Sequence, residues 1–164
     1  MGKRVDKLAK RLRGGADSTM ELLAGLGDAQ WQGVLYEEPH PWTVRDMLAH
    51  LLSTEEGLAR IARDVAAGGP GAPEGFEDYD HYNAEEQKRL AGTPVERLLS
   101  ELAATREATI EWVATLDDAD LDREGRHPAL GLVPLDTLIN VIHGHQLMHL
   151  RDLKALLRSM LVGE

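Results

Sequence analysis

Three histidines occupy positions where this sequence could do chemistry. His145 and His149 stand four residues apart in the series Leu135, Leu138, Ile142, His145, His149, Leu153, Leu156, whose three- and four-residue steps predict one face of a helix. That stripe calls for apolar residues and instead carries two imidazoles, one turn above the other. A buried imidazole needs partners for its ring nitrogens, and two stacked imidazoles repel each other if both are protonated. One divalent cation answers both problems. A third imidazole, His50, sits at the edge of the apolar stripe of an earlier helix. Three neutral imidazoles from two packed helices, with one or more positions left to water, would form an open site of the catalytic zinc type. Such a metal lowers the pKa of bound water or polarises a bound oxygen or thiolate. On the residues alone, the alternative is a pair of core histidines held by ordinary hydrogen bonds.

The remaining histidines read differently. His143 is two residues from His145 and so points the opposite way, to the surface or an interface. His40, His81 and His127 fall in predicted loops, although His81 could approach the site from its loop. Di-iron carboxylate bundles place Glu-x-x-His on helices; the matches here, Glu37 to His40 and Glu124 to His127, lie beside prolines. His-Glu-x-x-His, the P-loop, Gly-x-Gly-x-x-Gly and Gly-x-Ser-x-Gly are all absent, which argues against a nucleotide enzyme and a serine hydrolase. The sequence has no cysteine, so disulfides, thiolate zinc, iron–sulfur clusters and a cysteine nucleophile are excluded.

The elements that must position these residues are helical. A first helix is predicted from Lys3 to Leu26, weakened or broken at Gly14-Gly15, with a fresh start possible at Ser18. Pro39 and Pro41 end the linker that follows. Thr43 reads as the N-cap of a second helix, with Asp46 in its first turn; Val44, Met47, Leu48, Leu51, Leu58, Ile61 and Val65 mark its apolar face, and Gly68-Gly69-Pro70 ends it. Residues 68–93 form a long crossing with a short helical piece near His81 to Leu90. Thr93 and Pro94 read as N-cap and first residue of a third helix, which carries Leu98, Leu102, Val113 and Leu116 inward and Arg106 and Glu111 on its polar side. Residues 117–132 read as a loop, and a fourth helix runs from near Pro134 to about Met160. No strand of useful length and no internal repeat is predicted. The fold class is all-α: a four-helix bundle, one domain over residues 1–164, with a long crossover between helices 2 and 3.

Charge narrows the partners. Against 28 acidic residues stand 18 basic ones, a net charge of −10 over 164 residues, and nucleic-acid affinity depends on Lys and Arg neutralising phosphates. The basic cluster Lys3, Arg4, Lys7, Lys10, Arg11, Arg13 is interrupted by Asp6 and carries Leu8 and Leu12 at helical spacing, so it reads as the solvated face of the first helix. No nucleic acid is expected. Nor is a membrane, because no stretch approaches the ~20 apolar residues of a span. The basic start leads into Gly14-Gly15 and not into an apolar run, so no secretory signal is expected and the protein is placed in the cytoplasm.

At these residues the chain resembles the DinB/YfiT-like superfamily of metal-binding bundles. The resemblance rests on Trp42-Thr43-Val44-Arg45-Asp46-Met47-Leu48-Ala49-His50-Leu51, on the His145 to His149 pair, on Tyr79-Asp80-His81-Tyr82-Asn83-Ala84 in the crossing, and on His127-Pro128-Ala129-Leu130-Gly131. It implies a four-helix bundle, often a homodimer, with a divalent metal, commonly zinc or nickel, on the residues matching His50, His145 and His149. It also implies a small-molecule substrate. Members include transferases and isomerases that use mycothiol, bacillithiol or glutathione, and some hydrolases. On that pattern the metal would hold a low-molecular-weight thiol as thiolate for attack on a small electrophile. Asp80 and Asn83 are the candidate catalytic residues, orienting the substrate or the metal's surroundings, and Trp42 or Tyr82 would wall the pocket. Asp152, three residues after His149, either supports that histidine or pairs with a surface cation. Metal-assisted hydrolysis without a thiol, and a non-catalytic bundle with a structural metal or none, are the competing readings. One fold hosts many chemistries.

Overall fold

A computed structural model describes residues 2–38, 40–75 and 78–162. Four long helices carry it: α1 (Lys3–Ala24), α3 (Val44–Ala66), α5 (Val95–Val113) and α6 (Leu135–Val162). Between α1 and α3 lie α2 (Asp28–Trp31), β1 (Val34–Tyr36) and β2 (Trp42–Thr43); the crossing holds α4 (Tyr79–Leu90). After α5 come a 3-10 turn (Asp120–Asp122) and the strands β3 (Glu124–His127) and β4 (Gly131–Pro134). α1 lies against α5 and α6, and α3 lies against the same two, so α1 and α3 face each other across the bundle.

The crossover follows from direction. Glu55 of α3 meets Arg106 of α5, and further along Arg63 reaches the Ala108 carbonyl and the Trp112 ring. Later residues meet later residues, so α3 and α5 run parallel, and no short turn joins parallel neighbours. The chain must return to the other end of the bundle, which residues 67–94 accomplish with α4 packed along α3.

Two large apolar cores and a small third one of Leu58, Ala59 and Ile142 fill the bundle. One large core gathers Leu23, Met47, Leu51, Leu98, Leu102 and Leu153; the other gathers Val5, Leu12, Val65, Val113, Leu135 and Ile139. Each fully buried leucine contributes about 1.5–3 kcal/mol. Between the two large cores sits a polar layer: Arg106 holds Glu55 at 2.6 and 2.8 Å, and Thr19 hydrogen-bonds Gln146 at 3.3 Å, all four residues buried. Periodicity puts Arg106 on the polar side of its helix; the structure places it inside, where a carboxylate from the facing helix satisfies it.

α1 runs unbroken through Gly14 and Gly15, and Ser18 sends its hydroxyl back to the Gly14 carbonyl instead of starting a helix. The cap of α5 is Pro94, one residue after Thr93. Strands exist. β1 and β2 pair antiparallel with Tyr36 opposite Trp42, and β3 and β4 form a hairpin with Glu124 opposite Pro134 and His127 opposite Gly131. Gly131 has φ +71, a left-handed turn conformation that glycine adopts freely. The hairpin seals the end of the bundle: a Cβ on Gly125 would lie 2.1 Å from a Val65 methyl. His127 thus belongs to a strand, its buried Nδ1 accepting the Ala129 and Leu130 N–H groups.

The N-terminal basic residues are largely paired. Arg4 binds Asp122 and Asp136, Lys10 binds Asp6, Arg13 binds Glu107, and Arg11 reaches the Asn140 amide oxygen. Among the described residues, no helix is long and apolar enough to cross a membrane.

Candidate metal centre

The start of α3 is set by a capping box. Thr43 Oγ1 accepts the Asp46 N–H at 3.2 Å, and Asp46 Oδ2 accepts the Thr43 N–H at 2.9 Å, an arrangement that satisfies two otherwise orphaned donors. His50 follows two turns later and faces α6, which runs antiparallel to α3: residues early in α3 meet residues late in α6. There His50 Nε2 lies 3.0 Å from His145 Nε2, which lies 3.1 Å from His149 Nε2. One ligand atom from each of the three comes within 4.8 Å of the others. The rings meet edge to face, with centroids 4.6–5.0 Å apart.

Burial and mutual repulsion keep these imidazoles neutral. His50 and His149 are 8% and 6% exposed, and His145 is half-buried. Desolvation, reinforced by the other two histidines, lowers the His50 pKa to about 3. Desolvation and His149 lower that of His145 to about 4. His149 is lowered by burial, against the opposing pull of Asp152. Neutral imidazole is the form that binds metals. The donors' spacing of 3.0 and 3.1 Å is close to the roughly 3.3 Å between two nitrogens of a tetrahedral zinc ion with Zn–N near 2.0–2.1 Å. The donor set therefore fits a divalent transition-metal ion, for which imidazole is a suitable ligand.

A second ring of side chains surrounds the cluster. The Tyr36 hydroxyl lies 2.8 Å from His149 Nδ1 and donates to Asp152 Oδ2 at 2.9 Å; burial, and then the Asp152 carboxylate, push the hydroxyl's pKa well above its ordinary value. Thr54 Oγ1 is 3.3 Å from His50 Nδ1. The Trp42 ring packs on His50 at 5.0 Å between centroids.

The profile of the DinB superfamily matches residues 11–153. This chain belongs to the DinB superfamily. Several solved chains share the fold. YfiT from Bacillus subtilis, described as a "probable metal-dependent hydrolase with an unusual four-helix bundle topology", aligns with a TM-score of 0.79 at 19% identity over 98% of this chain and 90% of YfiT. A mycothiol-dependent maleylpyruvate isomerase aligns with a TM-score of 0.71 at 16% identity, over 93% of this chain and 63% of the isomerase. Among curated proteins, none matches the sequence.

In this DinB-superfamily chain the histidine cluster lies behind a cleft of about 890 Å³. Tyr36 and Trp42 form the wall between them, each lining the cleft on one face and touching a histidine on the other. Asp80 and Asn83, from α4, line the opposite side together with Lys88. The structure thus brings Asp80, Asn83 and Trp42 to one cavity beside His50, His145 and His149. It does not bring Tyr82 there: that hydroxyl approaches the Ser53 carbonyl at 3.4 Å and packs on Gly57. His81 is exposed on α4, outside the cluster, and His40 lines the outer cleft. His143, expected at the surface or an interface, lies outside the cluster and is only partly exposed. Its ring is half-buried against Gly15 of α1, and burial, then Arg106 and Arg11, lower its pKa.

Two residues of this region escaped the sequence. Glu55 carries no signal beyond a helical position, and its partner is 51 residues away. Tyr36 reaches His149 only because β1 pairs with β2. The cue, an aromatic pair flanking a proline-rich turn, is weak.

Proposed function

We propose that this DinB-superfamily chain is a metal-dependent enzyme that uses a low-molecular-weight thiol to transfer to, or isomerise, a small electrophile, with zinc or nickel held by His50, His145 and His149. The observation that carries the reading is the meeting of three neutral imidazoles, Nε2 toward Nε2 at 3.0 and 3.1 Å, directly behind a cleft large enough for a small molecule. The isomerase of the same fold supports the thiol, since its name makes it mycothiol-dependent.

A divalent ion held by His50, His145 and His149 would supply Lewis acidity and would ease loss of a proton from a thiol or water near neutral pH. The chain's own residues do the rest. His50, His145 and His149 stay unprotonated at neutral pH and offer lone pairs. Trp42 and Tyr36 cover the imidazoles and limit water at the reacting atoms. The Asn83 amide presents a donor and an acceptor to the cleft, and the Asp80 carboxylate presents an acceptor; both orient the substrate. In the transfer step the thiol gives its proton to solvent, its sulfur forms the new C–S bond, and the electron pair displaced from the electrophilic carbon leaves with its group or takes up a proton.

Metal-assisted hydrolysis is the second reading, favoured by the description of YfiT. Metal content by mass spectrometry, on untagged protein purified without chelator, tests the centre. About one zinc or nickel ion per chain is expected, lost in His145→Ala and in His149→Ala. No metal in the parent, and no rise in melting temperature on adding either ion, would overturn it. Turnover of electrophiles then separates the chemistries: dependence on added thiol supports transfer, and thiol-independent turnover of esters or amides supports hydrolysis.

A further inference from the structure

The hydroxyl of Tyr36 lies between two groups and has one proton to give. A carboxylate accepts only, so the proton goes to Asp152 Oδ2 at 2.9 Å, where Arg151 at 3.3 Å also pairs with the carboxylate. The phenolic oxygen, with that proton committed, can only accept from His149 Nδ1 at 2.8 Å. His149 must therefore carry its hydrogen on Nδ1. Its Nε2 is then bare, and this is the atom that faces His145 Nε2 at 3.1 Å.

The other two imidazoles have no such constraint. Thr54 Oγ1, 3.3 Å from His50 Nδ1, is a hydroxyl that either donates or accepts, so it leaves the His50 tautomer open. His145 Nδ1 has no hydrogen-bond partner among the described residues. Of the three, one ring alone has both its orientation and its proton fixed.

We propose that Tyr36 and Asp152 are positioning residues that lock His149 in the Nδ1–H tautomer, aim its Nε2 lone pair into the cluster, and so make His149 the anchoring ligand of the metal. The proposal rests on the reading of the three histidines as a metal site. Partners of this kind commonly orient metal-binding histidines and raise their basicity. The placement follows from the fold. Asp152 is three residues after His149 and shares its face of α6, while Tyr36 is delivered by the β1–β2 ribbon, opposite Trp42. Because Tyr36 also lines the cleft, the dyad links the substrate side of the wall to the ligand behind it.

Nitrogen-15 NMR of histidine-labelled, metal-free protein reads the tautomer directly. The expected result is a His149 ring protonated on Nδ1 and bare on Nε2. Tyr36→Phe keeps the ring packing and removes the hydroxyl; it should yield a mixture of tautomers and a zinc affinity about 10–100-fold lower. In Asp152→Asn the amide oxygen still accepts from Tyr36, so the tautomer should persist while affinity falls by less. Should Tyr36→Phe fold poorly by circular dichroism, the parent's tautomer and Asp152→Asn still decide. A parent protein with His149 protonated on Nε2, or a folded Tyr36→Phe protein binding zinc within twofold of the parent, would overturn the positioning role alone. A parent that binds no divalent ion would overturn the metal reading, whatever its tautomer.

Discussion

Glu55 and Arg106 form a two-point ion pair at the centre of the bundle, with contacts of 2.6 and 2.8 Å and side chains 3% and 2% exposed. Burial raises the Glu55 pKa while Arg106 pulls it back down. The pair divides the two large apolar cores and joins the two parallel helices that the crossover connects. Breaking a buried pair by removing one partner leaves an uncompensated charge, whereas replacing both with apolar residues of similar size removes the desolvation cost as well. Arg106→Met is therefore expected to lose about 3–5 kcal/mol of unfolding free energy, and Glu55→Leu with Arg106→Met to recover most of it. Urea unfolding of the two proteins beside the parent measures this. A double variant no better than the single one would show that the polar layer contributes more than charge compensation.

Gly14 and Gly15 are neighbours in α1 with opposite demands. Nothing lies within 4 Å of a Cβ on Gly14, while a Cβ on Gly15 would lie 2.5 Å from His143 Cε1. Gly14→Ala removes a flexible residue from an exposed helix and should stabilise the protein by about 0.5–1 kcal/mol. Gly15→Ala should destabilise it by about 1–3 kcal/mol, the usual cost of overpacking a filled contact. Thermal unfolding of both variants gives the signs. Two stabilising substitutions would mean that His143 can leave its place against α1 at little cost.

That pair also shows where the sequence is legible. Two adjacent glycines look alike in a sequence, and a helix break there is the simplest expectation; the close approach of α6 that requires Gly15 is visible only in three dimensions. The histidine cluster could be read because helical spacing alone puts His145 and His149 on one face, and an apolar stripe announces that the face is buried. The crossover could be read because glycine and proline break the period between Gly68 and Gly92. The burial of Arg106 is not legible because periodicity reports which face a residue is on and not whether a facing helix brings it a carboxylate. The β1–β2 ribbon went unseen since strands of three and two residues are too short to show alternation. With the ribbon went Tyr36, whose role depends on strand pairing and on a contact 113 residues along the chain.

Asn83 and Asp80 face the cleft and make no contact with the histidines that any hydrogen bond records. Under the proposed function they act on substrate and not on metal. Asn83→Ala should therefore raise KM several-fold with metal content unchanged, since removing uniform binding leaves kcat largely intact. Asp80→Ala should behave alike. Steady-state kinetics with metal analysis of the same samples checks both. Loss of metal from either variant would move these residues from the substrate side to the metal centre.

The histidine cluster makes the metal-free protein acid-sensitive in a defined direction. His50 and His145 are held at about 3 and about 4 in the folded chain, below the ordinary value near 6.5 that they regain on unfolding. Between those limits the unfolded chain binds more protons, so stability rises with pH across the window and is lost as pH falls. Chelator-treated protein should keep its full urea midpoint above about pH 7 and lose it progressively from about 6.5 toward 4. The three imidazoles titrate as a coupled group, so His145→Leu should flatten the slope by more than one histidine's share, because it also relieves His50 of a repelling neighbour. Asp118 acts elsewhere: hydrogen bonds from Val5 and then Arg4 at the start of α1 hold its pKa below the usual carboxylate range, so its contribution disappears only at lower pH. A bound divalent ion competes with protons for the same nitrogens and stabilises the folded state by mass action, so zinc should move the acid limb to lower pH. Urea midpoints at pH 5, 6 and 7.5, with chelator and with zinc, provide the check. A midpoint independent of pH between 6.5 and 5 in the chelator-treated protein would mean that the imidazoles are not held neutral by burial.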